Sequence, residues 1–225
     1  MNAPYGRYAL QKFGPMIPAK LAWFLSQLPS VVVPIFVLLT SEHSAANVRN
    51  YLLLGMFLLR HSCCPSSTAP SNGHIQSKFL LCYADYGYAW VLGLRFILGS
   101  MFVVIGMGIN LHSDASLAML CRPDVVAKMD EDFAADAAGG MGGEEQTLRI
   151  PHGGLFENVS CANYLGEIIE WFGWAVAAWS LPALAHFLFT LDNLIPRARH
   201  HHLDYINKFK DAYPRNRFAV IPGVL

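Results

Sequence analysis

The sequence predicts an all-α fold, a multi-pass transmembrane helical bundle, on three observations. Charged residues make up 14% of the 225 residues, against about 25% in an ordinary soluble domain, and the mean hydropathy is positive at +0.33. Apolar runs reach the ~20 residues needed to cross ~30 Å of hydrocarbon. No stretch alternates apolar and polar residues with the period of two expected of a half-buried strand. Acids and bases balance at 16 each, which argues against a nucleic-acid partner.

The first spanning candidate is Leu21 to Thr40, 20 residues without a formal charge. Its Ser26, Gln27, Pro29 and Pro34 are expected to face protein, because lipid satisfies neither polar side chains nor a broken helix. Tyr51 to Leu59 is strongly apolar but ends after nine residues at Arg60 and His61, too short to cross alone. Ser62 to Gln76 then reads as loop, with Cys, Pro, Ser, Thr, Asn and Gly throughout. Val91 to Leu111 is the next candidate, with Arg95 near one end where it can snorkel. Asp124 to Thr147 holds seven acids and one lysine among Ala and Gly; it has too few large apolar groups for a core and reads as a disordered surface insert.

Cys161 to Leu191 is apolar for 31 residues, too long for one span and expected to form two helices around Pro182. The tail from Arg197 to Arg217 is rich in Arg, Lys and His, which favours the cytosolic face for the C-terminus. Residues 1–20 contain no apolar run that serves as a signal peptide. The five cysteines, Cys63, Cys64, Cys82, Cys121 and Cys161, show neither C-x-x-C spacing nor a bridge pattern and read as reduced thiols.

Chemistry is sought first where polar groups interrupt apolar runs. Glu167 and Glu170 are three apart, so they share one side of a helix. A carboxylate in hydrocarbon is costly, so the pair either lines a polar pocket or lies in water at the interface. No Glu-x-x-His pair occurs to build a di-metal bundle. His200, His201 and His202 cannot converge on one ion, because successive helical residues point about 100° apart. They form either a solvated turn at the end of the last helix or part of a nucleotide site, since the forked guanidinium of Arg197 or Arg199 suits phosphate. Asn110, His112, Ser113 and Asp114 follow an apolar run; they either cap a helix or rim a pocket. There is no G-x-G-x-x-G after a strand and no Walker-type loop, so a nucleotide site here is not of the Rossmann kind.

Taken together, several long segments resemble the steroid 5α-reductase family, types 1 and 2. The C-terminal run from Arg199-His-His-His through Tyr205 and Tyr213-Pro-Arg-Asn-Arg217 is similar to the family's closing motif, which ends in Ile221-Pro222. Ile150-Pro-His-Gly-Gly-Leu-Phe156, Ala162-Asn-Tyr-Leu-Gly-Glu167-Ile-Ile-Glu170-Trp171, Gly108-Ile-Asn110-Leu-His112-Ser-Asp114 and Trp23-Phe-Leu-Ser-Gln-Leu-Pro-Ser30 match equally. The resemblance covers most of the chain except the acidic insert and Ser62–Ser71.

The resemblance implies a seven-helix membrane fold of the endoplasmic reticulum, of which about five helices are expected here. Residues 1–83 would be an abridged set of N-terminal membrane helices, and 84–225 the C-terminal domain interrupted by the insert at 124–147. The activity implied is hydride transfer from NADPH to C5 of a 3-oxo-4-ene steroid, with a proton added at C4. By carry-over, the cofactor positions are Asn110, Asp114, Arg149, Asn163, Glu167, Arg197, His201 and Tyr205, and Trp23 and Trp171 line the steroid cavity. The family's catalytic Glu and Tyr are replaced by Gln27 and His61, and its basic residue before Arg122-Pro123 is Cys121. The family's first helix lies upstream of the segment similar to Tyr5-Gly-Arg-Tyr-Ala9, and a helix pair is expected to be missing between Leu59 and Asn72. Alternatives are a reductase of polyprenol or 2-enoyl-CoA lipids, and a catalytically impaired pseudoenzyme. The partners expected are a steroid or related lipid and membrane lipid, with no nucleic acid and no metal. The chain is expected to be monomeric, with its tail cytosolic.

Overall fold

The computed structural model describes residues 32, 36, 52, 54–56, 79–80, 84, 86–120 and 150–224. These residues are predominantly helical and contain no strand; one isolated parallel bridge joins Val159 to Phe218. The helices are α1 (Tyr88–Val91), α2 (Leu94–Leu120), α3 (Ala162–Ala178) and α4 (Leu181–Phe209), with 3₁₀ turns at Gly154–Glu157 and Lys210–Ala212. Among the described residues α2 is the helix long and apolar enough to span a bilayer. The first candidate span, the loop 62–76 and the acidic insert lie largely or wholly outside the described residues.

The chain divides into two compact units, Met1–Met107 with Gly166–Arg197, and Gly108–Leu165 with Ala198–Leu225. In the first, the backbones of α2 and α3 touch through glycine. A Cβ on Gly99 would lie 2.5 Å from the Ala177 nitrogen, one on Gly106 2.5 Å from the Glu170 nitrogen, and one on Gly173 2.6 Å from the Gly99 carbonyl oxygen. Residues 99 and 106 therefore meet positions descending along α3, and the two helices run antiparallel. Such close approach through small residues is how helices associate where lipid offers no hydrophobic drive. Around this seam Val103, Trp171, Trp174, Ala178 and Ala183 form a buried core with Leu54 and Leu80.

The apolar run 161–191 breaks where expected. Trp179 takes a left-handed φ of 42° and Ser180 caps α4 by accepting the Ala183 N–H at 3.4 Å. Pro182 falls in the first turn, where its missing N–H costs nothing. The Tyr86 hydroxyl donates to the Ala178 carbonyl at 2.9 Å, satisfying an orphan acceptor at the end of α3. The Arg95 guanidinium lies 4.6 Å from the Trp179 ring, a cation–π contact at one end of α2.

Two boundaries differ from the sequence expectation. Helix α2 runs past Leu111 to Leu120, and α4 runs past Leu191 to Phe209 with Pro196 inside it. Burial decides both. Asn110 and Ser113 on α2 are buried, as are Leu194, Ala198, His201 and Tyr205 on α4. The α4 positions recur at three- and four-residue steps, so a single stripe keeps the polar half of the helix docked.

In the second unit the C-terminal segment returns to pair with residues 158–161. The Phe218 N–H donates to the Asn158 carbonyl at 2.9 Å, and the Ser160 and Cys161 N–H groups donate to Phe218 and Ala219 at 2.8 and 3.1 Å. Gly154 has a φ of +56°, and a Cβ there would lie 3.0 Å from the His112 ring, so both conformation and space call for glycine.

Candidate functional site

The candidate residues fall into stripes fixed by helix geometry. Asn110 and Asp114 are one turn apart on α2; Asn163, Glu167 and Trp171 recur every four residues on α3; Arg197, His201 and Tyr205 do so on α4. Residues four apart lie on one face, so each helix presents its set on a single side.

In the second unit some of these groups meet. The Asn110 side chain, 2% exposed, donates through Nδ2 to the Asn163 carbonyl at 3.2 Å. Its Oδ1 is buried and without a partner among the described residues. The Tyr164 hydroxyl stands 3.3 Å from Nε2 of His201. Tyr205, also buried, stacks on Tyr213 with ring centroids 5.5 Å apart and planes 9° from parallel. Asn110 and Asp114 lie within α2 rather than after it, so a capping role is set aside. The histidine run lies inside α4, which removes the alternative of a solvated terminal turn; burial of the stripe holds that part of the helix in regular form.

In the first unit Glu167 and Glu170 are each 1% exposed, which removes the alternative of acids lying in water. Trp171 packs edge-on against His186, with ring centroids 4.1 Å apart. Cys161 is buried, and its thiol points to the Ala198 carbonyl at 4.0 Å. Gln27, His61, Trp23 and Arg149 lie outside the described residues, as do the other four cysteines.

Two groupings were not anticipated from sequence. Ser160 Oγ lies 2.6 Å from His202 Nδ1, 2.6 Å from the Tyr213 hydroxyl and 3.1 Å from the Phe218 carbonyl. Arg217, 3% exposed, donates to the Pro151 carbonyl at 2.9 Å and to Glu157 Oε2 at 3.3 Å. Glu157 Oε1 accepts the Gly153 N–H at 2.7 Å. That hydrogen bond, then the charges of Arg217 and His152, hold the Glu157 carboxyl below its ordinary pKa. Burial lowers the pKa of His202. The sequence signal for both groupings was faint: a serine just before an apolar helix, and an arginine in an otherwise exposed basic tail.

Residues 67–129 and 142–225 match the sequence model of the family described as 3-oxo-5-alpha-steroid 4-dehydrogenase, and the match passes over 130–141 within the acidic insert. The chain is 37% identical over 242 residues to the 3-oxo-5-alpha-steroid 4-dehydrogenase 2 of Homo sapiens, covering 98% of this chain and 87% of that protein. It is 36% identical over 247 residues to the 3-oxo-5-alpha-steroid 4-dehydrogenase 1 of Rattus norvegicus, covering 100% and 87%. It is similarly 36% identical over 250 residues to the steroid 5-alpha-reductase DET2 of Gossypium hirsutum, covering 100% and 89%.

Proposed function

Since the chain belongs to the 3-oxo-5-alpha-steroid 4-dehydrogenase family, we propose that it reduces the C4–C5 double bond of 3-oxo-4-ene steroids with NADPH, giving 5α-steroids. The observation that carries this reading is the match to steroid reductases over 98–100% of this chain, at 36–38% identity. The enzyme is an oxidoreductase acting on a CH–CH group. It works as a monomer in the endoplasmic reticulum membrane, with the Arg- and Lys-rich tail on the cytosolic side.

The residues present fit the cofactor. A buried carboxamide with one oxygen left over, as at Asn110, suits the N–H of a nicotinamide amide, because an unmet buried acceptor is costly. Asn163, Glu167, His201 and Tyr205 supply further hydrogen-bonding groups, with Asp114 and Arg149 completing the set. Arg197 contributes a fork suited to phosphate. When bound, NADPH supplies the hydride that reaches C5.

That arrival pushes charge onto the C3 oxygen, and the chain's task is to stabilise the enolate and deliver a proton to C4. Gln27 donates its amide N–H to the C3 oxygen and His61 serves as a second donor, while Trp23 and Trp171 wall the apolar steroid slot.

Purified chain in lipid nanodiscs, given NADPH and testosterone or progesterone, is expected to consume cofactor and release the 5α-dihydro product. Tight NADPH binding with no steroid turnover would overturn the reductase reading in favour of a pseudoenzyme. Turnover of polyprenol or 2-enoyl-CoA instead would reassign the substrate. Restoring the acid with Gln27→Glu is expected to raise kcat, by up to about 10²–10³-fold if the amide is the weaker oxyanion partner.

A further inference from the structure

The chain's second polar centre is the Ser160 node, and its hydrogen-bond roles can be assigned by counting. A hydroxyl has one proton and two lone pairs. The Phe218 carbonyl at 3.1 Å is an acceptor only, so the Ser160 proton goes there. His202 Nδ1 and the Tyr213 hydroxyl, each at 2.6 Å, must then both donate into Ser160 Oγ. No other assignment of protons keeps all three contacts to Ser160 Oγ. His202 is thereby fixed with its proton on Nδ1.

The node also joins three segments that carry candidate cofactor residues or hold them in place. Ser160 lies two residues before α3 and three before Asn163. His202 follows His201 on α4. Tyr213 is brought back by the 3₁₀ turn Lys210–Ala212, where Lys210 takes a left-handed φ of 46°, and its ring stacks on Tyr205. Phe209 stacks on Tyr205 as well, at 6.1 Å and 22°. Ser160 and Tyr213 are 3% and 2% exposed. Tyr205 is thus set by a neighbouring ring whose own position is fixed by a buried hydrogen bond.

We propose that Ser160, His202 and Tyr213 are positioning residues for cofactor binding: they touch no reacting atom, and they set the attitude of Tyr205 and His201. The inference rests on the assignment of Tyr205 and His201 to the NADPH site. A shared node predicts that its members act as a unit, so losing a second member adds little to losing the first.

The test uses the full chain in nanodiscs, with NADPH affinity followed by fluorescence titration and kcat and KM followed with testosterone. Tyr213→Phe removes one hydrogen bond and Ser160→Ala the three centred on its Oγ, and both leave the Tyr205 stack in place. Each is expected to raise the Kd and KM for NADPH about 3- to 10-fold, with kcat at saturating NADPH within about twofold. The double variant should bind little worse than either single one. Arg215→Ala, which breaks only the exposed Asp211–Arg215 pair, should leave NADPH binding unchanged. Unaltered NADPH affinity in Ser160→Ala and Tyr213→Phe, with only a lower melting temperature, would make the node purely structural and overturn the proposal. If the unsubstituted chain fails to bind NADPH, the cofactor assignment falls, and this proposal with it. If Tyr213→Phe does not fold, Ser160→Ala and Ser160→Cys, whose thiol is a poorer partner, decide the matter by the same readout.

Discussion

Arg217 shows how much a single residue can hold in a chain whose charges are few. Its side chain is enclosed by the Pro151 carbonyl, Glu157 and His152, with the Tyr213 ring 5.6 Å away. Arg217→Ala removes a buried donor from a carbonyl and leaves a void, so a loss of about 1–3 kcal/mol is expected, read as a lower melting temperature. Lys, a point charge without a fork, cannot reach both acceptors and should recover little. The carboxylate it pairs with sets a pH dependence. The folded-state pKa of Glu157 lies below its ordinary 4.5, so its contribution is present above that value and fades as pH falls through the lowered one. His202 acts at higher pH. Its folded pKa is below the ordinary 6.5, so the unfolded chain takes up the proton more readily and stability declines once pH drops below that value. Melting temperatures from pH 8 to pH 3 should therefore fall in two stages, with Glu157→Gln removing the lower stage and His202→Gln the upper. A profile unchanged by either substitution would refute both assignments.

At the scale of elements the glycines of α2 decide how closely it can approach α3. Gly106→Val would place carbon 2.5–2.6 Å from backbone atoms of Glu170 and Gly166, and backbone cannot step aside as a side chain can. Overpacking of this kind typically costs about 1–3 kcal/mol, and the direct backbone clash puts this site at the upper end. Gly108, two residues on, has nothing within 4 Å of its would-be Cβ. Gly108→Ala is therefore expected to stabilise the helix by about 0.5–1 kcal/mol, because glycine costs that much in a helix interior. Opposite shifts in melting temperature from substitutions so close together would identify the seam; equal shifts would dissolve it. The length of the apolar run and Pro182 made the two-helix division of 161–191 legible in the sequence. The lengths of α2 and α4 were not, since Asn110, Ser113 and His201 look like helix-ending polar residues until their burial is known. Carry-over named the cofactor candidates, but the Ser160 node joins residues up to 58 apart in sequence, and no spacing rule reaches that far.

For the whole molecule the decisive quantity is the apolar surface left outside. Along α2, Leu94, Ile97, Met101, Val104, Ile105 and Leu111 are 42–71% exposed, and on α4 Leu181, Leu184 and Leu188 are 45–81% exposed. A soluble protein rarely leaves so contiguous an apolar face in water, whereas lipid accepts it without cost. The polar groups of α2, α3 and α4 are instead covered: Asn110, Ser113, Glu167, Glu170 and His186 are all buried. Polar inside and apolar outside is the arrangement a bilayer selects. A charge placed on the outer face should then be tolerated according to depth. Val104→Arg sits near the middle of the apolar part of α2, where an arginine costs about 2.5–3.5 kcal/mol of insertion free energy. Leu94→Arg sits at the end of the helix, beside Arg95, where a long cationic side chain snorkels to the interface. Carbonate extraction of membranes holding each variant should find Val104→Arg depleted from the membrane-integrated fraction and Leu94→Arg near the unsubstituted level. Equal retention of the two would mean that this face of α2 meets protein or water rather than lipid, and the placement of the whole bundle would have to be redrawn.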